Sequence, residues 1–320
     1  MVDLGLCYIG KIITLEIIPN ADFLLSATVV CGSGGKWKGV VRKWDFEVGS
    51  PCIVYLPDSI ILPNEEMKFM EAHKWRVRMC KFRGSPSEVV IMPYKGDEPI
   101  GTDMTLKLGV TKFFKPIPPN LAGEQIGYFP GFIPKTDESN YQRNGELVQQ
   151  LTGRPYFITE KCDGSSTTAF NWKGHFGVCS RNLELKETEH NGFWKMANMY
   201  NLREKLPEDY ALQWETCGPS IQSNPMGLDE MQPFAFNVFN IERQSYLPFI
   251  EFYDFCRALN FPTAKLLKIG ESFNPKNVST LGEGTFSTNC NQREGVVVRS
   301  QHLFNGAPIS FKVINLNYER

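Results

Sequence analysis

Along the first third of the chain, β-branched and aromatic residues gather in short runs parted by turn formers. Tyr8 to Ile18, Ala27 to Cys31, Trp37 to Arg42, Ser50 to Leu56, Trp75 to Phe82 and Val89 to Met92 read as strands. Pro19-Asn20-Ala21-Asp22, Gly32-Ser33-Gly34-Gly35 and Pro57-Asp58 read as the turns between them. Further on, Tyr156 to Glu160, Ser165 to Asn171, His175 to Ser180, Tyr210 to Thr216, Pro233 to Ile241, Gly295 to Arg299 and Ile309 to Ile314 read the same way, with Trp172-Lys173-Gly174 closing a hairpin. The apolar spacing turns helical in two places. Gly192 to Lys205 carries Phe193, Met196, Met199 and Leu202, and Leu247 to Leu259 carries Phe249, Phe252, Cys256 and Leu259.

Prolines crowd between residues 113 and 136, at Pro116, Pro118, Pro119, Pro130 and Pro134, which favours an extended connection between two folding units. The expected organisation is an all-β unit over residues 1–112, a Pro-rich connection over 113–131 and an α+β unit over 132–320. Five or six short strands in the first unit suit a small barrel of the OB type, with a sandwich as the alternative. A chain of 320 residues has room for two ordinary domains, and no repeat, heptad run or low-complexity tract interrupts it.

With 34 Lys and Arg against 35 Asp and Glu the net charge is -1, so any grip on nucleic acid must come from local patches rather than bulk charge. The most basic run is Lys68, Lys74, Arg76, Arg78, Lys81 and Arg83 against Glu71. On a strand Arg76 and Arg78 would share a face, with Trp75 and Phe82 near enough to stack on bases; a solvated strand face is the plain alternative. The nine cysteines form no C-x-x-C pair and read as reduced, mostly buried thiols. No apolar run reaches the ~20 residues of a membrane helix, and Met1-Val2-Asp3 does not open a leader. The expected setting is intracellular and reducing, with the cytoplasm first, no membrane partner and a monomer.

The richest stretch is Phe157-Ile158-Thr159-Glu160-Lys161-Cys162-Asp163-Gly164-Ser165-Ser166, where an apolar strand delivers a lysine, an acid and a glycine into a turn. Alone, Lys-x-Asp-Gly is as easily a surface turn. Its company matters more. Ser180-Arg181-Asn182 ends the hairpin's return strand, Glu215 is an acid in an otherwise apolar strand, and Phe239 lies in Phe236-Asn237-Val238-Phe239-Asn240-Ile241. Glu294 opens Glu294-Gly295-Val296-Val297-Val298-Arg299, and Lys312 sits inside Ile309-Ser310-Phe311-Lys312-Val313-Ile314. Each taken singly is readable as a strand-end ion pair or a core aromatic.

This ordered set resembles the covalent nucleotidyltransferase superfamily of ATP-dependent ligases and capping enzymes, and most closely the RNA ligases. The resemblance covers roughly residues 132 to 315 and implies an α+β nucleotidyltransferase fold, the ATP-grasp-like adenylation domain of ligases, preceded by an all-β OB-fold barrel. It implies Lys161 as the nucleophile with Asp163 and Gly164, Arg181 and Lys312 on the phosphates, Phe239 stacked on adenine, and Glu215 and Glu294 as the remaining acids. The cofactors it implies are ATP and Mg²⁺ or Mn²⁺, with Asp163, Glu215 and Glu294 as oxygen ligands; Glu215 could instead hold the ribose. The stretch Phe132-Ile133-Pro134-Lys135-Thr136-Asp137-Glu138 resembles the segment that leads into the nucleotidyl domain of RNA ligases. Ile13 to Leu25 and Lys81-Phe82-Arg83-Gly84 resemble tRNA-binding OB domains and the OB domain of Deinococcus-type RNA ligases, which points to Lys74, Arg76, Arg78, Lys81 and Arg83 for nucleic acid.

The implied chemistry has a clear requirement. A lysine of pKa ~10.4 is neutral in about one molecule per thousand near pH 7.4, so cations, a divalent metal and Lys312, are expected to lower the pKa of Lys161. ATP would adenylate Lys161, AMP would pass to an RNA 5′-phosphate, and a 3′-hydroxyl would displace it, in RNA ends or a nicked duplex containing RNA, as in RNA repair. A DNA ligase, a capping enzyme or an inactive RNA-binding relative are the alternatives. Two departures stand out. Ile314 replaces the second lysine that DNA ligases and capping enzymes carry there, and no further domain is expected beyond Arg320. Asn140 stands where a basic residue is expected, leaving triphosphate contacts to Lys135 or Arg143.

Overall fold

The computed structural model describes residues 5–32, 34–113 and 124–319. Met1-Val2-Asp3, Ser33, the prolines Pro116, Pro118 and Pro119, and Arg320 lie outside the described residues. The chain divides into two compact units, one formed by Met1–Pro116 with Tyr141–Glu146 and the other by Ile117–Asn140 with Leu147–Arg320. Among the described residues no helix is long and apolar enough to cross a membrane.

The first unit holds β1 (Cys7–Ile17), β2 (Leu24–Cys31), β3 (Gly35–Arg42), β4 (Pro51–Tyr55), β5 (Ser59–Ile60), β6 (Cys80–Phe82), β7 (Ser85–Ser87), β8 (Val90–Pro93) and β9 (Thr111–Lys112). Five of them form an antiparallel sheet in the order β3-β2-β1-β4-β8. In β3 the residues Gly35 to Arg42 alternate between core and solvent, so Trp37 and Val41 enter a core with Ile12, Val29, Val54 and Ile91. The sheet curls until its two ends meet. Glu88 N donates to Lys38 O at 2.8 Å, Lys38 N to Glu88 Oε2 at 3.0 Å and Val40 N to Ser87 Oγ at 3.0 Å. Gly39 lets the strands close at this seam, where a Cβ would stand 2.5 Å from Ile91 Cδ1 and would push that side-chain tip aside.

One expected strand is shortened. Of the run from Trp75 to Phe82 only Cys80–Phe82 is strand, and the chain first makes a 3-10 helix over Glu65–His73, stopped by left-handed backbone at Lys74 (φ 52°) and Trp75 (φ 60°). Only then does it enter the β6–β7 hairpin, whose turn is Arg83 (φ 51°) and Gly84 (φ 82°). Two successive left-handed residues cannot belong to a pleated strand.

The second unit holds β10 (Gln125–Tyr128), α1 (Gly145–Leu151), β11 (Tyr156–Glu160), β12 (Ser165–Trp172), β13 (His175–Ser180), β14 (Leu183–Leu185), α2 (Gly192–Met199), α3 (Leu202–Lys205), β15 (Tyr210–Cys217), β16 (Gln232–Asn240), β17 (Ser245–Tyr246), α4 (Phe249–Ala258), β18 (Leu266–Gly270), β19 (Gly295–Phe304) and β20 (Ala307–Ile314). The helix expected over 192–205 is two, broken at Asn201 (φ 52°). A seven-stranded sheet runs β10-β14-β13-β12-β15-β16-β17 and a four-stranded one β18-β11-β19-β20. Helices cover one face of the larger sheet, where Leu212, Trp214 and Val238 pack with Trp194, Met196, Leu202, Phe252 and Phe261. Its other face carries Ser166, Thr168, Gln213 and Glu215, polar residues that no helical core needs.

Candidate active site

Two strands aim the central lysine. β11 and β19 pair so that Thr159 faces Val297 and Glu160 faces Val296, and just past this ladder Lys161 N donates to Gly295 O at 3.1 Å. Glu160 is turned the other way and buried, where its carboxylate accepts from Ser287 N at 2.8 Å and Ser287 Oγ at 3.0 Å. Lys161 is therefore left to project from the opposite side. Its Nζ donates to Glu294 Oε2 at 2.7 Å. In the following turn Asp163 is 2 % exposed and accepts a hydrogen bond from Tyr318 Oη. Gly164 passes so close to β15 that a Cβ would lie 2.3 Å from Thr216 O and 2.6 Å from Cys217 Sγ.

Glu215 enters from the larger sheet, paired with Ser166 on β12 and Phe234 on β16. Burial raises its pKa to about 7; Lys161 pulls it down, Glu294 and Asp163 push it up, and the Gly164 N–H lowers it. For Lys161, burial alone would favour the neutral amine, but Glu294, Glu215 and Asp163 outweigh it and hold the pKa above the ordinary lysine value. The expected depression is thus not a property of the protein alone. The three carboxylates by themselves favour the ammonium, and added positive charge is what would tip the balance.

Lys312 reaches the same place from β20. Thr159, Val297 and Lys312 lie in one row across β11, β19 and β20, which puts Lys312 on the sheet face that Lys161 continues. Its N–H donates to Ser139 O at 2.8 Å, and Asn140 bridges to it, so the segment before α1 is laid along β20. That segment carries its own ion pair. Glu138 accepts from Arg299 Nη2 at 2.6 Å and from Ser310 Oγ at 2.7 Å, with Arg299 almost fully buried. Nearby, Thr136 Oγ1 and Ser166 Oγ are 2.6 Å apart, and Gln213 Nε2 donates to Pro134 O at 2.8 Å.

Arg181 lies at the rim, exposed and paired with Asp137, while Lys135 Nζ donates to Asn182 Oδ1 at 2.9 Å. Two basic residues of this second unit therefore sit together beside the loop that follows β13. Arg143 belongs to the first unit, where it donates from Nη2 to Pro57 O.

Three expectations need correction. Phe239 shares a sheet face with Glu215 but is 2 % exposed, its ring edge-on to Tyr246 at 5.1 Å and packed with Ile133, Phe170, Cys179, Ala211 and Ile241. It offers no free face for a base. Phe236 is the extra residue of a bulge, since Gln213 pairs with Asn237 and Trp214 with Ala235. It lines a small cavity beside α4 with Phe157, Leu247, Phe249 and Arg299, away from Lys161. Second, Asp163, Glu215 and Glu294 do not assemble into a three-ligand metal group among the described residues. Asp163 accepts from Tyr318 in the buried turn although its charge still bears on Lys161, which leaves Glu215 and Glu294 as the pair beside the amine. Two carboxylate oxygens completed by water and phosphate suit Mg²⁺ or Mn²⁺, so this pair fits a hard divalent cation. Third, Arg76 and Arg78 do not share an open face. Arg76 is tied to Asp58 at 2.6 Å and stacked over Phe113 at 3.7 Å, and Trp75 packs on the unit's second core. Lys74, Arg78, Phe82 and Arg83 are exposed.

Residues that the sequence did not single out are Glu138 as a partner of Arg299, Gln213 and Tyr318. Glu138 and Gln213 carried a weak signal, being polar residues beside or within apolar runs. Tyr318 carried none, since its partner lies 155 residues away. All nine cysteines are free, seven of them buried and Cys290 exposed.

The chain matches the RNA ligase family over residues 154–314. No curated protein matches it. Among solved structures it is similar to the RNA ligase of Naegleria gruberi. A mutant of that ligase with ATP and Mn is 28% identical with a TM-score of 0.81, covering 97% of this chain and 96% of that one. The ligase with PPi is 29% identical with a TM-score of 0.79, and a further mutant with AMP and Mn is 28% identical with a TM-score of 0.80, each with the same coverage.

Proposed function

The chain belongs to the RNA ligase family, and from that premise we propose that it joins RNA 3′-hydroxyl and 5′-phosphate ends through an AMP carried on Lys161. The observation that carries this reading is the lysine amine itself, held 2.7 Å from Glu294 and flanked by Glu215 and Asp163. Such an amine is a poor nucleophile while protonated. A divalent cation bound by Glu215 and Glu294 would neutralise the carboxylates that hold the proton and would offset charge on the phosphates. Lys161 would then attack the α-phosphorus of ATP with pyrophosphate leaving in line; the Naegleria ligase is solved with ATP, with AMP and with PPi. The chain's own residues supply the rest. Lys312 offers a fixed cation beside the row that leads to Lys161, Lys135 and Arg181 bind outer phosphate oxygens, and the Asp163–Gly164 turn fixes the lysine's approach.

The curled five-stranded sheet of the first unit fits an OB barrel: its order β3-β2-β1-β4-β8, with β8 returning toward β3, leaves the long connection between β4 and β8 free to bind a strand. That connection holds no acid between Glu71 and Glu88 and exposes Lys74, Arg78, Phe82 and Arg83. We assign RNA contact to these with Lys81, and leave Arg76 to its ion pair with Asp58. An N-terminal OB barrel before the adenylation unit is the arrangement of the Deinococcus-type ligases, and the biological role that fits is the sealing of nicks in RNA repair by a monomer in a reducing intracellular setting. The test is to compare two steps in Arg78→Ala/Lys81→Ala/Arg83→Ala. Self-adenylation is expected to be unchanged, while sealing of a nicked RNA duplex should fall and lose part of its salt dependence. Sealing equal to wild type at all salt concentrations would remove the first unit from RNA recognition.

A further inference from the structure

We propose that Tyr318 is a positioning residue for the nucleophile, acting through Asp163; the inference rests on Lys161 being the adenylated lysine. Asp163 is two residues past Lys161 and 2 % exposed, and a carboxylate so deeply buried is costly without a donor. Tyr318 Oη supplies one, donating to Asp163 Oδ2. The hydroxyl is brought there by the turn that follows β20. Asn315 N donates to Glu294 O at 2.9 Å, and Asn315 Nδ2 donates to Gln292 Oε1 and to Arg293 O, both at 3.0 Å. Asn317 N then donates to Asn315 Oδ1 at 3.0 Å and Tyr318 N to Asn315 O at 3.1 Å, which turns the tyrosine ring inward.

The ring enters an apolar cluster with Cys162, Cys217, Met226, Leu228 and Phe286, meeting Phe286 edge-on at 6.1 Å. Packing would be satisfied by phenylalanine. A hydroxyl placed in apolar surroundings and donated to the buried carboxylate of Asp163 does something that packing does not require. One short turn therefore grips both sides of the reacting lysine: its backbone holds Glu294, the hydrogen-bond partner of Lys161 Nζ, and its side chain holds Asp163 in the loop that carries Lys161. The same turn follows Lys312 by a few residues, so the spacing of Lys161, Glu294 and Lys312 is set by a single piece of chain. Without the hydroxyl, Asp163 loses the donor that reaches it from the turn after β20, and the loop from Lys161 to Gly164 loses one of the bonds that orient it. That loss falls on the approach of the amine to phosphorus, not on the affinity for ATP.

Tyr318→Phe keeps the ring and removes the hydroxyl. In single-turnover self-adenylation with labelled ATP, the rate constant is expected to fall about tenfold to a hundredfold, the range for removing a hydrogen bond to a buried charge. The ATP concentration for half-maximal rate should change less than threefold. The fraction of chains finally labelled should stay at the wild-type value, because a merely structural defect lowers the labelled fraction rather than the rate constant. Phe286→Leu serves as the packing control: it loosens the same cluster with the hydroxyl in place and should lower the melting temperature while keeping the rate constant. If Tyr318→Phe does not fold, Phe286→Leu alone still decides, since a rate loss there equal to its stability loss would show that packing is what matters. A wild-type rate constant in Tyr318→Phe, or a loss confined to the labelled fraction, overturns the proposal. Failure of the wild-type chain to label at all, or label that persists in Lys161→Ala, would instead overturn the reading on which it rests.

Discussion

Gly164→Ala is the substitution whose consequence follows most directly from distances. A Cβ on residue 164 would sit 2.3 Å from Thr216 O, 2.9 Å from Thr216 C and 2.6 Å from Cys217 Sγ. Carbon and oxygen approach to about 3.3 Å at closest, so either the loop or β15 must move by about 1 Å. β15 is fixed on both sides, by β12 and β16, and its Trp214 lies in the core of the unit. The loop yields instead, carrying Lys161 with it. A displacement of about 1 Å at a reacting group costs on the order of a hundredfold in rate, while overpacking of this size costs about 1–3 kcal/mol in stability. The assay is single-turnover self-adenylation followed alongside a thermal melt, with Gly131→Ala as control because Gly131 has nothing within 4 Å of an added Cβ. We expect Gly164→Ala to lose about a hundredfold in rate with a melting temperature lowered by a few degrees, and Gly131→Ala to match wild type. Adenylation by Gly164→Ala within twofold of wild type would refute the argument that the turn's close approach to β15 positions the lysine.

Four further outcomes are expected. Glu294→Gln removes the nearest carboxylate that raises the Lys161 pKa, so the acid limb of the log rate against pH should move to lower pH even as the maximal rate falls; an unmoved limb would contradict that cause. Glu215 is protonated below about pH 7, so the apparent affinity for Mn²⁺, read from the metal dependence of adenylation, should weaken roughly tenfold per unit as pH drops below 7 and level off above it. Phe239→Ala should cost about 3–5 kcal/mol in chemical denaturation as a core truncation and leave the ATP requirement of adenylation near wild type, and a raised ATP requirement without that loss of stability would restore Phe239 to the adenine. Glu138→Ala strands the buried Arg299 guanidinium and should cost about 3–5 kcal/mol, more than Glu138→Gln, by the same denaturation measurement.

The regular strands were legible because their period is local. The strands from Tyr156 to Glu160 and from His175 to Ser180 fall where the alternation and the turn residues put them. Lys161 was legible for the same reason, as a cation at the end of an apolar strand. Short or edge elements such as β10, β14, β17 and β18 were not, since two to five residues carry too little pattern to rise above their surroundings. Phe239 misled because its place on the Glu215 face was legible but its packing was not: Ile133, Phe170 and Tyr246, which cover it, come from separate parts of the chain. Arg76 and Arg78 misled because their strand spacing presumed a strand, where Lys74 and Trp75 instead take left-handed backbone. Tyr318 was out of reach altogether, as a contact made across the whole second unit and visible only once the chain has folded.

The central claim is that Lys161 carries AMP. It is tested most directly by incubating the chain with ATP labelled at the α-phosphate and Mn²⁺, denaturing it, and locating the label. The account predicts acid-labile label on Lys161, released by pyrophosphate and missing from Lys161→Ala and Lys161→Arg. Label that survives in Lys161→Ala, or that maps to another residue, would contradict it.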